Sequence, residues 1–135
     1  MKFVIMINKK LPVGNALNVV SHMMAGFVAE AGPAIRESME VINYGHSPQR
    51  FYASKWPHIM LKAKNSGQIK KIIAAAEAQG VLHTYFADTM IEGGWELQRH
   101  RTQASTEDEH ELLGAVLYGE PDQIDPLTKK LSLYQ

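Results

Sequence analysis

The amino-acid sequence predicts a single α/β domain, residues 1–135, built on a mainly parallel or mixed sheet. Three observations predict it. The continuous apolar run "FVIMI" at residues 3–7 has the composition of a strand covered on both faces. Later strand-like runs, "HIMLKAK", "VLHTYF" and "LLGAVLYG", alternate with segments of helical period, as α/β domains do. The length of 135 residues fits one domain of roughly 100–200 residues, enough to bury one core without staples.

After the first strand, Pro12 and Gly14 break the pattern and a helix is predicted from near Asn15. Its apolar positions Ala16, Val19, Val20, Met23, Met24, Phe27 and Val28 recur at three- and four-residue spacing and form one core stripe. Gly32-Pro33 is expected to end it. Glu37 to Tyr44 fits a short helix or a strand. The aromatic, turn-rich "YGHSPQRFYASKWP" is expected to cover a sheet edge, or else to offer an apolar patch to a partner.

"HIMLKAK" alternates as a strand should, Ile59 and Leu61 against Met60 and Lys62. Asn65-Ser66 offers a cap for a helix whose apolar residues are Ile69, Ile72, Ile73 and Ala76, and Gly80 supplies its stop. "VLHTYF" is the next strand and closes at Asp88. Glu92 to Glu111 is polar, punctuated by Gly93-Gly94, and is expected to be a long solvated loop or hairpin. "LLGAVLYG" reads as a buried strand, "DPLTKKL" as a short helix capped by Asp125 with Pro126 at its first position, and "SLYQ" as a last strand.

Composition excludes several function classes. There is no cysteine, so disulfides, thiolate chemistry and cysteine-ligated metals are absent. Lys plus Arg equal Asp plus Glu at 14 each, so no overall field draws in nucleic acid or an anionic membrane, although a local basic patch stays open. The run at 3–7 is too short for a signal core or a membrane span. A cytoplasmic protein with no membrane partner is expected.

Among the six histidines none pairs with another at i,i+4, so no metal is expected. "LPVGN" lacks the glycines and lysine of a phosphate loop, and no cofactor is expected. No serine lies in a G-x-S-x-G context.

The opening stretch "NKKLPVGNALNVVSHMMAGF" holds the better candidates. A helix start after a Gly-bearing turn offers unpaired N–H groups and a positive dipole end to an anion, here from Gly14 and Asn15. Asn18, Ser21 and His22 follow, and Asn15, Asn18 and His22 lie on the face opposite Val20, Met24 and Phe27. The competing reading is an Asn18–His22 pair on a solvent face. Asp88, at the carboxyl end of an apolar strand, is the best isolated acid; the competing reading is an Asp that starts a turn. A small polar or anionic ligand is the expected partner. If chemistry follows, His22 or Asp88 is the general acid or base, since a free imidazole titrates at ~6.5.

Four stretches, "KFVIMINKKLPVG", "LKAKNSGQIKKIIAAAEAQGV", "HTYFADT" and "GAVLYGEPDQIDPLTKKLSLY", carry a resemblance to the type II peptidyl-tRNA hydrolase superfamily along nearly the whole chain. The chain looks closer still to an uncharacterised sister family in which "LPVG.ALN" begins the first helix. The resemblance implies a mixed β-sheet with helices on both faces, a homodimer and, if the protein is an enzyme, a hydrolase. It also implies a catalytic role for Asp88, with Thr89 the one substitute near the family's threonine position. The family's lysines, glutamine and histidine fall at Asn15, Leu17, Ser21 and Met24 and are not kept, and His22 stands about half a turn from the histidine position. With only Lys9 and Lys10 near the helix start, the phosphate contacts a tRNA needs are missing. A rewritten active site is expected, with true peptidyl-tRNA hydrolysis and a non-enzymatic interaction module as the alternatives.

Overall fold

The computed structural model describes residues 1–135. β1 (Lys2–Asn8) is the middle strand of a five-stranded sheet, and Phe3 to Ile7 are buried on both faces. β4 (His58–Ala63) pairs with it in parallel and β6 (Leu112–Gly119) antiparallel on its other side. β5 (Leu82–Ala87) adds outside β6 and β7 (Ser132–Leu133) outside β4, both antiparallel, in the order β5-β6-β1-β4-β7. The sheet is therefore mixed. β1–β4 is its one parallel pair, because β6 enters beside β1 from the opposite direction.

Alternate residues of β1 serve opposite cores, as the pleat requires. Phe3, Ile5 and Ile7 pack with Val116 and Tyr118 under α1 (Val13–Glu37). Val4 and Met6 pack with Leu61, Ala115 and Leu117 under α2 (Ser66–Ala78) and α4 (Pro121–Thr128). Helices thus cover both faces. None of them is long and apolar enough to cross a membrane.

On α1 the buried line is Ala16, Val19, Met23 and Phe27, with Val20 and Met24 half-buried beside it. Val28, expected in the stripe, is exposed, because it has rotated past the edge of the sheet. Gly32 breaks the helix at φ 20°, ψ −91°, yet Pro33 opens a further helical segment to Glu37 that buries Ile35. Gly32-Pro33 is therefore a kink and not the end, since proline is tolerated at the start of the new segment.

β2 (Met39–Asn43) resolves the helix-or-strand ambiguity and forms an antiparallel hairpin with β3 (Arg50–Ser54) as a separate sheet. Its aromatic residues Tyr44, Phe51, Tyr52 and Trp56 are exposed, so they do not cover the edge of the main sheet. In α2 the Asn65 side chain accepts the Gln68 N–H at 2.9 Å, and Gly80 at φ 67° follows its last turn.

The stretch 92–111 is not a plain loop. It holds α3 (Trp95–Gln103) and a 3₁₀ turn (Glu107–Glu109). No residue of α3 is buried, so its sequence carries no apolar period and escapes a periodicity reading. Polar bonds hold it instead. Arg101 Nη2 donates to the carbonyl oxygens of Thr89, at 2.9 Å, and Glu92. The start of α4 also differs from expectation. Pro121 takes the first helical position after Glu120, which leaves Asp125 and Pro126 inside the helix and Asp125 free to pair with Lys2.

Candidate functional site

The carboxyl ends of β1, β4 and β5 lie along one edge of the sheet, and α1 descends from that edge across one face. Between α1 and the outer strand β5 it leaves a cleft of about 520 Å³. α1 contributes His22, Met23 and Gly26, and β5 contributes Thr84 to Ala87. The far wall is Met90, Thr102, Ser105, Glu107 and His110. A Cβ added to Gly26 would meet nothing within 4 Å, so this helical glycine leaves room that a side chain would occupy.

His22 is exposed and its ring stands 5.9 Å from that of Phe86. His110 is buried, with Nε2 2.5 Å from Ser105 Oγ. Ser105 Oγ also lies 2.7 Å from the Arg101 carbonyl oxygen. One hydroxyl proton cannot serve both contacts. Donated to the Arg101 carbonyl, it leaves Oγ to accept Nε2–H from His110. The C-terminal carbonyls of α3 favour positive charge at this end of the cleft.

Tyr85 is pushed above the usual phenol value of 10.0, first by burial and then by the carboxylates of Glu107 and Glu77. At neutral pH it is therefore a hydrogen-bonding phenol. Tyr85, Glu107 and His110 also line a smaller cavity of about 260 Å³ beside α2, so the two cavities adjoin at the end of β5. No group of three or more His, Cys, Asp or Glu side chains is gathered as a metal site requires.

Of the predicted residues, His22 lines the cleft; Gly14, Asn15, Asn18, Ser21, Asp88 and Thr89 do not. The first four are exposed on the opening turns of α1, where Pro12 caps without a side-chain bond. Asp88 closes the β5–β6 ladder. Its N–H donates to Glu111 O at 2.9 Å and its Oδ1 accepts the Glu111 N–H at 3.3 Å. Thr89 Oγ1 lies 2.7 Å from Thr102 Oγ1 and so touches a residue of the cleft wall. Sequence reasoning missed Thr102, Ser105 and His110. The signals for their segment were there: nineteen residues free of Gly and Pro after Gly94, and Thr106 with Glu109 at capping-box spacing.

In overall architecture the chain is similar to the protein of unknown function Atu0240 from Agrobacterium tumefaciens strain C58, with TM-score 0.80 and 20% sequence identity over 99% of this chain and 97% of that one. At that identity the likeness shows a shared fold. No curated protein matches the chain. A family model described as "Protein of unknown function (DUF2000)" matches residues 1–135. With the whole length matched, the chain belongs to the DUF2000 family of proteins of unknown function.

Proposed function

We propose that the chain is a cytoplasmic protein that binds a small polar molecule in the cleft between α1, β5 and α3, with His22 and His110 as its proton-exchanging groups. The observation that carries this reading is that His22, from α1, and His110, from just before β6, open on one cavity together with the hydroxyls of Thr102 and Ser105. Asp88 and Thr89 serve it by position: one ties down Glu111, the neighbour of His110, and the other contacts Thr102. Ser21 is adjacent to His22 on α1, and Asn18, Asn15 and Gly14 lie four, seven and eight residues nearer the helix start. At 1.5 Å per residue those three stand roughly 6–12 Å along the axis from His22, within reach of an anionic end of the ligand. The likeness to the type II peptidyl-tRNA hydrolases makes hydrolysis the reaction class to assay.

The test is a thermal-shift screen of metabolites, followed by binding measurements on Gly26→Leu. Leucine there projects into the cleft and replaces a helical glycine, a change that favours the helix by about 1 kcal/mol. Hits should lose at least tenfold in affinity while the melting temperature holds or rises. If every hit other than a phosphate compound is bound equally well by Gly26→Leu, the cleft is refuted. Peptidyl-tRNA turnover should stay at background, because the positions of the hydrolase machinery read Asn15, Leu17, Ser21 and Met24. A rate matching a true hydrolase and abolished by Asp88→Ala would restore that alternative.

A second reading rests on the β2–β3 hairpin, where Tyr44, Phe51, Tyr52 and Trp56 expose aromatic surface away from both cores. Such a patch suits a second copy of the chain, giving a homodimer that uses it as interface. Sedimentation velocity should then show a dimer that Phe51→Asp converts to monomer. A wild-type monomer at tens of micromolar rejects it.

A further inference from the structure

The sheet has a second feature at the edge where β1, β4 and β5 end. β1 and β4 are neighbours and run parallel, yet the chain leaves β1 for α1 on one face and leaves β4 for α2 on the other. Adjacent parallel strands whose connections part to opposite faces leave a crevice at their carboxyl ends, where α/β sheets bind ligands. A hollow of about 300 Å³ lies there, lined by Lys9, Lys62, Lys64, Gln68, Lys130 and Ser132. Four lysines line one concavity, with no acidic and no apolar residue in its wall. None of the four has an ion-pair partner, since the ion pairs of the molecule are Met1 N-terminus–Glu120 and Lys2–Asp125.

The backbone builds this convergence. Lys9 N–H donates to Ala63 O at 2.9 Å, which holds the end of β1 against the end of β4. Lys62 stands opposite Ser132 in the β4–β7 register. Lys64 N–H donates to Gln68 Oε1 at 2.7 Å, which sets Lys64 beside the first turn of α2 and the positive end of its dipole. A neighbouring hollow, with Lys71 and Lys129, shares Lys130 and again has no acidic residue in its wall. The acidic groups Glu77, Glu107 and Asp108 stand elsewhere, at the cavity beside Tyr85, with Lys70.

We propose that this hollow is a binding site for a small molecule carrying two or more linked phosphate groups. Four uncompensated ammonium groups repel one another, and a compact anion of about four charges relieves all of that repulsion at once. One orthophosphate would neutralise only half of it. Lysine suits this task as a flexible point charge for phosphate oxygens. A single-stranded nucleic acid would need aromatic faces on which its bases stack, and the wall has none.

The probe is inorganic tripolyphosphate, titrated calorimetrically against the full chain at about 0.15 M salt, with orthophosphate and a dT12 oligonucleotide as further arms. Tripolyphosphate should bind at least tenfold more tightly than orthophosphate, raise the melting temperature, and lose affinity steeply with added salt. The double variant K62Q/K64Q should bind at least tenfold more weakly with a shallower salt slope, whereas K55Q, whose lysine lies outside the hollow, should bind as wild type. Gly26→Leu should also leave tripolyphosphate binding intact, so failure of the cleft reading and failure of this one are distinguishable. Absence of tripolyphosphate binding, binding unchanged in K62Q/K64Q, or tighter binding of dT12 than of tripolyphosphate would each overturn the proposal.

Discussion

Phe27→Ala should lower the unfolding free energy by about 3–5 kcal/mol, the range for emptying a buried aromatic position. Phe27 is 1 % exposed and belongs to the core that α1 forms with Phe3, Ile5, Val116 and Tyr118. That core is walled by the middle strand of the sheet, so the void has little room to collapse. Urea denaturation should show a lower midpoint with an unchanged slope, and the melting temperature should fall by on the order of 10 °C or more. An unchanged midpoint would place the apolar face of α1 elsewhere than on the sheet.

The second large effect is expected at Gly114, in a strand whose eight residues are all buried. A Cβ there would come within 3.1 Å of Met6 O, 3.2 Å of Val19 Cγ1 and 3.3 Å of Ile7 Cδ1. The first contact is backbone in the centre of the sheet and cannot yield without parting β1 from β6. Gly114→Val should therefore cost at least the roughly 1–3 kcal/mol of an overpacked core. It would do more than destabilise. Pressing on Val19 lifts α1 away from the sheet one turn before His22, so the environment of the His22 ring against Phe86 should change in NMR spectra. A Gly114→Val protein with wild-type stability and an unshifted His22 resonance would show that the sheet absorbs the extra bulk.

Much of this architecture was legible in the sequence where one physical cause dominates. "FVIMI" and "LLGAVLYG" are apolar throughout because both faces of β1 and β6 are covered, and Asn65 and Gly80 bracket α2 by local chemistry alone. α3 was hidden because hydrogen bonds from Arg101 hold it, with no buried stripe to leave a period. The candidate site divides in the same way. His22 stood out on a helix that could be read. Ser105 and His110 did not, because their positions depend on contacts between α3 and the Asp88–Met90 turn. Lys9 was noticed only beside Lys10. Its convergence with Lys62, Lys64 and Lys130 exists only once β1 pairs with β4, and β4 with β7.

The central position of β1 also sets the order in which the chain can be assembled. Its parallel partner begins at His58 and its antiparallel partner ends at Gly119. On a ribosome, β1 emerges before the other strands of its sheet and has no neighbour on one side until residues 112–119 have been synthesised and released. Completing the sheet therefore requires closing a loop that spans most of the chain, which slows folding relative to a protein of local contacts. Meanwhile "FVIMI" is an uncharged, proline-free strand former, the type of segment that pairs with copies of itself. α1, which is mostly local in its bonding, is available early to shield one face of that strand.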